Sequence, residues 1–444
     1  MNYPRVLIVT LGRINAADTE NNGLLLRNLF ANWPRENLAQ IYSSGENDDL
    51  GFFGHYYKMG LGDRLMGALF YKIKTKELGD SIQLKSTPSV NSKGTEKFFN
   101  IKSIGRQLLV DTGLYEFIFR PRLSRKLKLW VGDFQPDIIF SQGYNYSFAL
   151  LPLLLSNYFR LPLAYYPTDD WPNEKYRISH YSNSIISRFT GRVVSKTAFR
   201  LVNNSVVRLA FNHYMREEYR KRYGKEFSVL MHGDDLTRFQ ACNPAPKTEK
   251  HTHWIVCTGV FGKSRIPLLD DLDQACHHLI SKGIHVRATV FSVNELEKES
   301  SVARWRHINI EPCPSHNKLP SLLKGADILF LPERFDESSE GIRMSISSKA
   351  PLFMYSGKPI VVYSSHVTGI ARYAKEEGWG AVVDDRDPVK LACAFEKIIT
   401  DYDERQRLVT IATRTAMINH DLKTIQNKFS ELLYHASFTK KMPF

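Results

Sequence analysis

Glu340-Gly341-Ile342-Arg343 and, a short way on, Lys349 combine a hydrogen-bond acceptor with two cations in one loop and the helix start after it. A carboxylate there can accept hydrogen bonds from sugar or ribose hydroxyls. An arginine and a lysine can hold a pyrophosphate and stabilise it as a leaving group. A second such set is Thr258-Gly259-Val260-Phe261-Gly262-Lys263, with Arg265 two residues later. A glycine turn after a strand lets backbone N–H groups and the following helix start face a phosphate, and Lys263 and Arg265 can neutralise a diphosphate. The same residues would also make an ordinary strand-to-helix turn, and the Walker spacing is absent. A third set is Asp169-Asp170-Trp171, where a carboxylate could take a proton from an acceptor hydroxyl. A helix N-cap beside a packing tryptophan would use the same three residues.

The elements that must position these groups are legible from the apolar pattern. Leu319 to Lys324 reads as a helix, Asp327 to Leu331 as a buried strand, and Ile360 to Tyr363 as the strand that follows the next helix. That is a βαβ unit with its charged loop at the carboxyl end of the first strand, the edge where open α/β sheets bind ligands. Strands are expected at 254–258, 285–291, 307–310, 327–331, 359–363 and 380–383, followed by two helices over 403–418 and 421–436. Earlier in the chain, Val6 to Thr10 is a strand, and Leu11-Gly12 ends it. A polar loop over 13–22 then leads into a helix from Gly23, so Gly12, Asn22 and Gly23 are candidates for a cleft loop. Strands follow at 41–43, 138–140, 163–166, 206–210 and 228–231, with helices over 146–159, 184–203 and 212–223. Residues 45 to 130 do not parse as regular alternation and read as an insertion.

A chain of 444 residues suits two domains rather than one core. The reading is an N-terminal domain over 1–240, a linker over 241–253 rich in polar residues and proline, and a C-terminal domain over 254–420, with a last helix within 421–444. The fold class is α/β, with two doubly wound, Rossmann-like domains facing a cleft. No G-x-G-x-x-G follows either first strand, which disfavours dehydrogenases.

The resemblance is to glycosyltransferases of the GT-B fold, especially the family 4-like group that builds surface polysaccharides. It rests on Leu319-Pro320, Ala326-Asp327, Pro332, Glu340-Gly341, Ser348-Lys349, Tyr355 and Gly357-Lys358-Pro359 in the second half. In the first half it rests on Met215, Tyr219, Arg222-Tyr223-Gly224, Gly233, Asp235 and Phe239. It covers residues 136–240 and 254–400. The resemblance implies transfer of a sugar from a nucleotide diphosphate sugar to a hydroxyl acceptor, with retention at the anomeric carbon and no metal or cofactor. It also implies that the N-terminal domain over 1–240 binds the acceptor, that the C-terminal domain over 254–420 binds the nucleotide sugar, and that the last helix within 421–444 packs back on the first domain. Gly259, Lys263, Arg265, Glu340, Gly341, Arg343 and Lys349 would serve the donor, and Asp169 and Asp170 the acceptor side. The acceptor would be a glycan or lipid-linked saccharide. The chain departs from the family at one point. Where relatives often carry two glutamates eight positions apart, this chain has Met344 and Leu352, with Glu340 four positions early. An epimerase of the same fold and a non-catalytic binding protein with a degenerate site are the other readings.

The net charge of +14 is unevenly placed: residues 52–130 carry +9, residues 175–225 carry +10, and the rest sums to −5. Such asymmetry suits an anionic partner. Aromatic and aliphatic residues interleave the cations at Phe52, Phe53, Tyr56, Tyr57, Leu65, Met66, Leu69, Phe70 and Tyr71, which favours an anionic membrane surface over nucleic acid. The N-terminus enters a strand directly, so a cytoplasmic location is expected, extending to the inner face of the plasma membrane. Five scattered cysteines and the His pairs lack metal-ligand spacing. Asp271-Leu-Asp273 and Asp385-Arg-Asp387 read as structural, and Glu333 and Glu337 as solvated loop charges.

Overall fold

The computed structural model describes residues 3–15, 21–45, 51–66, 114–172, 185–246, 251–262, 264–296 and 302–439. Lys263, most of the insertion and Leu69, Phe70 and Tyr71 lie outside them. The chain divides into two compact units. One comprises Met1–Asp18, Leu29–Val229 and Lys428–Phe444; the other comprises Thr19–Asn28 and Leu230–Asn427.

The first unit is built on a parallel sheet of β1 (Val6–Val9), β2 (Leu38–Tyr42), β3 (His55–Lys58), β4 (Ile138–Ser141), β5 (Leu163–Tyr165), β6 (Val207–Ala210) and β7 (Ser228–Val229). Their spatial order is β3-β2-β1-β4-β5-β6-β7. Strands β1, β2, β4 and β5 are buried at every position. Continuous apolar runs are what a parallel sheet covered on both faces requires. Helices α1 (Asn21–Phe30), α2 (Leu114–Ile118), α3 (Arg125–Phe134), α4 (Tyr146–Phe159), α5 (Ile185–Asn204) and α6 (His213–Tyr223) occur along this stretch of chain. Helix α1 begins at Asn21, so Asn22 joins Gly23 in its first turn rather than ending the preceding loop. Near the C-terminus, Phe429 packs edge-on against Phe30 and Phe140, with ring centroids 5.1 and 5.7 Å away.

The sequence pattern missed β3, because His55-Tyr56-Tyr57-Lys58 offers few apolar positions. Its aromatics turn inward. Phe53 and Tyr57 are buried, and the Tyr56 hydroxyl donates to the Ile14 carbonyl (2.8 Å) while accepting from the Phe53 amide (2.8 Å). Tyr57 donates to Asp63, a carboxylate that also accepts from Ser124 and from the Gly60 amide. These rings are core and scaffold, not the membrane-inserting residues their composition suggested.

The second unit carries β8 (His253–Gly259), β9 (Val286–Ser292), β10 (Ile308–Pro312), β11 (Ile328–Pro332), β12 (Ile360–Tyr363) and β13 (Ala381–Val383). All are parallel, in the order β10-β9-β8-β11-β12-β13. The order reverses between β8 and β11, which makes that pair the topological switch point. Helices α7 (Thr237–Gln240), α8 (Ile266–Ser281), α9 (Leu319–Gly325), α10 (Ala350–Tyr355), α11 (Gly369–Glu377), α12 (Pro388–Thr400), α13 (Tyr402–Asn419) and α14 (Leu422–Ser437) complete the chain. Leu269, Phe330, Tyr363 and Phe395 lie in one buried cluster. The expected linker is not a free tether at its start. The Ala245 amide donates to the Ser321 carbonyl (2.8 Å), and Lys324 Nζ donates to the carbonyls of Phe239 and Cys242.

Candidate functional site

The carboxyl edge of the second sheet gathers three of the expected donor residues around its switch point. β8 ends at Gly259, whose φ of +141° suits glycine alone. A Cβ there would collide with Lys349 Nζ, so the lysine amine lies directly over the glycine backbone. Lys349 precedes α10, and its Nζ stands 5.9 Å from the centre of the Phe261 ring. Burial of the amine, reinforced by the neighbouring Arg265 charge, pulls its pKa below the usual lysine value.

Arg265 precedes α8 and reaches across the switch point, where its Nη2 donates to Glu333 Oε1 at 2.5 Å. Its Nη1 donates to the Val260 carbonyl at 3.1 Å. Burial alone would depress this guanidinium, but the charge and hydrogen bond of Glu333 outweigh it and the net shift is upward. Glu333 follows β11 directly and is buried, which corrects its reading as a solvated loop charge. A charged residue placed immediately after a wholly buried strand was the signal that could have found it. Glu337 is exposed, as expected. Burial also pushes the thiol of Cys257, near the end of β8, up to about 12, so it stays protonated.

The remaining donor candidates stand on the 3₁₀ turn Glu337–Ile342 and just after it. Glu340 is exposed there rather than joined to the Arg265–Glu333 pair, while Gly341 and Arg343 are half-buried. The following residues are pinned close to α11. A Cβ on Gly369 would lie 2.5 Å from the Ser345 carbonyl oxygen, so only glycine permits that approach. The motif residue Asp327 has a structural task, accepting from the Trp254 amide (2.9 Å) and so tying the start of β8 to β11. Asp271 of the first DxD binds Arg386 and Tyr363, and Asp387 of the second caps α12. Among the described residues no group of three or more His, Cys, Asp or Glu is placed to hold a metal ion.

In the first unit the corresponding switch point lies between β1 and β4. The loop after β1 is pinned by the buried Gln40, whose Nε2 donates to Thr10 Oγ1 (2.6 Å) and to the Gly12 carbonyl (2.9 Å). After β4, Gln142 is 1% exposed, and among the described residues its Nε2 has no hydrogen-bond partner. The Ser147 hydroxyl, on α4, is likewise buried and unpartnered. Buried polar atoms are nearly always satisfied, so an orphaned donor at the ligand-binding edge of a sheet marks a place for a substrate or water oxygen. Gln142 is a functional candidate that motif reasoning missed.

The two aspartates after β5 differ sharply. Asp170 is buried and gripped by Arg222, whose Nη1 and Nη2 donate to its two oxygens at 2.6 and 3.0 Å. Arg222 also binds Glu218. Trp171 is buried and donates to the Tyr165 hydroxyl at 3.1 Å. Asp169 is half-buried and precedes this clamp.

No family model matches the sequence, and no curated protein matches it. Solved structures do. The chain is similar to Anabaena HepE in complex with UDP-glucose, with TM-score 0.60 and 13% identity over 98% of this chain and 100% of that one. The fold is GT-B. A sucrose-phosphate synthase from Thermosynechococcus elongatus gives TM-score 0.56 and 12% identity, covering 97% of this chain and 98% of that one. WaaG, a glycosyltransferase involved in lipopolysaccharide biosynthesis, gives TM-score 0.55 and 11% identity, covering 96% and 99%. At these identities the likeness establishes architecture, and activity has to be argued from the residues of this chain.

Proposed function

We propose that the protein is a glycosyltransferase that moves a sugar from a nucleotide diphosphate sugar to a hydroxyl acceptor. The observation that carries this reading is the convergence of Lys349 and Arg265 beside the Gly259 backbone, at the switch point of the second sheet. Two cations and a close-packed glycine turn at that edge suit a diphosphate. HepE, of the same fold, is a complex with UDP-glucose, which supports a nucleoside diphosphate sugar as the ligand class. Lys349 and Arg265, joined by Arg343 and Lys263, would stabilise the charge that develops on the departing diphosphate without a metal. Retention of anomeric configuration extends the family resemblance to this chain.

The first unit takes the acceptor. Asp169 faces the acceptor hydroxyl, Asp170 holds the loop through Arg222, and Gln142 donates to a substrate hydroxyl. A glycan or lipid-linked acceptor in cell-surface polysaccharide synthesis suits the basic character of this half, as does a location on the cytoplasmic face of a membrane. A thermal-shift panel of nucleoside diphosphates and their sugars tests the core of the proposal. At least one should raise the melting temperature in proportion to the logarithm of its concentration. No shift across the panel would overturn it.

A further inference from the structure

We infer that one face of α5 is the surface by which the first unit docks on an anionic phospholipid bilayer; the inference rests on the acceptor-side reading above and names its partner surface. The helix, IISRFTGRVVSKTAFRLVNN, contains Arg188, Arg192, Lys196 and Arg200 and no acidic residue. At 3.6 residues per turn, those four cations project with Ile185, Phe189 and Phe199 within a stripe about 120° wide. The opposite side carries Val194, Ala198, Leu201 and Val202, which are buried against the unit. Orientation and burial agree: the mixed stripe is the outer face.

The apolar members of that face are not merely partly open. Ile185 is 85% exposed, Phe189 64%, Phe199 48% and the adjoining Ile186 45%. Large rings and branched chains left in water on one helix face mark an interaction surface. Alternating them with cations and omitting every acid selects the partner: the apolar groups need a non-aqueous phase, and Arg192, Lys196 and Arg200 suit an anionic boundary. A bilayer interface offers both at one depth. Nucleic acid would satisfy the cations and leave Ile185 and Phe189 wet. In the segment from Phe52 to Tyr57, richer in aromatics, Phe53 and Tyr57 are buried and so not offered to a surface. Among the described residues no helix is long and apolar enough to cross a membrane, so the contact is interfacial.

The test is flotation of the full chain with phosphatidylcholine vesicles and with phosphatidylcholine–phosphatidylglycerol vesicles, at about 0.1 M and about 1 M salt. Those conditions bracket screening lengths of about 10 and 3 Å. The wild type should float with the anionic vesicles at low salt and much less at high salt. Arg192→Glu with Lys196→Glu should lower partitioning about tenfold or more, since each cation near an anionic surface multiplies it about fivefold. Ile185→Ser with Phe189→Ser should lower it as well, and should improve rather than impair solubility. Phe189→Trp supplies a reading that needs no loss of binding: its emission should shift to the blue with anionic vesicles only. Absence of flotation, flotation unchanged in both double variants, or an unshifted emission of the Phe189→Trp variant during binding would each overturn the assignment. So would a salt-sensitive preference for RNA that the serine variants leave intact, or a dimer that those variants dissolve. Vesicle binding without any nucleotide-dependent thermal shift would sink the transferase reading and leave this one standing.

Discussion

Arg265 and Glu333 form an ion pair at 2.5 Å that bridges the two strands flanking the switch point of the second sheet, since one residue follows β8 and the other follows β11. The pair does two things at once. It fixes an otherwise long, mobile guanidinium where a diphosphate would bind, and it sets a negative charge close to that position. The Lys349 amine lies in the same electrostatic neighbourhood. Two cations and one anion leave a site with net positive charge, half-neutralised before any ligand arrives.

Replacing Glu333 by Gln should therefore separate structure from binding. The amide keeps the shape but loses the charge that compensates a largely buried Arg265. Removing one partner of a paired buried group costs several kcal/mol in the limit; with Arg265 about a quarter exposed, a loss of about 1–3 kcal/mol in denaturant unfolding is expected. Nucleoside diphosphate affinity should rise by about threefold or more, because a repelling charge has gone. Weaker binding in a folded Glu333→Gln protein would mean that positioning Arg265 matters more than the local charge.

Lys349→Ala should weaken nucleoside diphosphate binding by about 1–3 kcal/mol, the scale of a charged hydrogen bond. The lowered pKa of Lys349 adds a pH signature. In the folded protein without ligand, the amine releases its proton below the ordinary lysine value, whereas the unfolded chain keeps it up to that value. Between the two, the unfolded state binds more protons, so this group's contribution to stability rises with pH in that alkaline window. A bound diphosphate favours the charged amine. Affinity should accordingly fall as pH rises through the lowered pKa, with proton uptake on binding in calorimetry. Lys349→Arg should abolish that alkaline decline. A decline that persists unchanged in the arginine variant would assign it to another group.

Much of this was legible beforehand, and the reasons are physical. The strands of the second unit were readable, the inner ones because parallel strands covered on both faces must be continuous apolar runs, as in Ile328-Leu329-Phe330-Leu331. β3 was not readable, because it lies at the edge of its sheet and shows only Tyr57 fully to the core. Gly259, Arg265 and Lys349 stand out in the sequence because strand-end glycines and helix-start cations have a signature there. Their mutual contact had none, since it depends on segments far apart in the chain meeting at one sheet edge. Glu333 reads as a loop charge by composition, and only its place directly after a wholly buried strand points the other way. The face of α5 was hidden by its position: a basic composition over 175–225 does not reveal which side of a helix is left in water.

His420 gives the second unit an acid-sensitive lock. Its Nδ1 meets the His232 carbonyl at 2.7 Å and its Nε2 meets the Tyr373 hydroxyl at 3.0 Å. Burial drives its pKa down to about 4. Between that value and the unfolded value of about 6.5, the unfolded chain binds the extra proton, so stability falls as pH drops through that window. The loss should approach about 3 kcal/mol at the lower end. Unfolding followed at about pH 7, about pH 5.5 and about pH 4.5 should show this slope, and His420→Gln should flatten it. An equal slope in the variant would place the acid sensitivity elsewhere.

Gln142→Leu tests the orphaned donor after β4. The substitution removes an unsatisfied buried amide and conserves most of its volume, so stability should hold or improve. If the amide meets a substrate hydroxyl, transfer should suffer about tenfold, mainly through the KM of one substrate. Equal kinetics with raised stability would mean that the site holds only water.

The pair Asp169 and Asp170 should divide by function. Both Asp170 oxygens are committed to Arg222, and Arg222 also holds Glu218. A carboxylate clamped in this way is a structural anchor, with both oxygens already occupied. Asp170→Asn should cost about 2–4 kcal/mol of stability, since it leaves a guanidinium that is three-quarters buried without its main counter-charge. If Asp169 accepts the proton of the attacking hydroxyl, turnover of the Asp169→Asn variant falls about 10²-fold or more while nucleoside diphosphate binding stays intact. The discriminating measurement pairs a denaturant curve with single-turnover transfer for each variant. A stable Asp170→Asn protein with collapsed turnover would reverse the two assignments, and near-normal turnover in both would remove this loop from the chemistry.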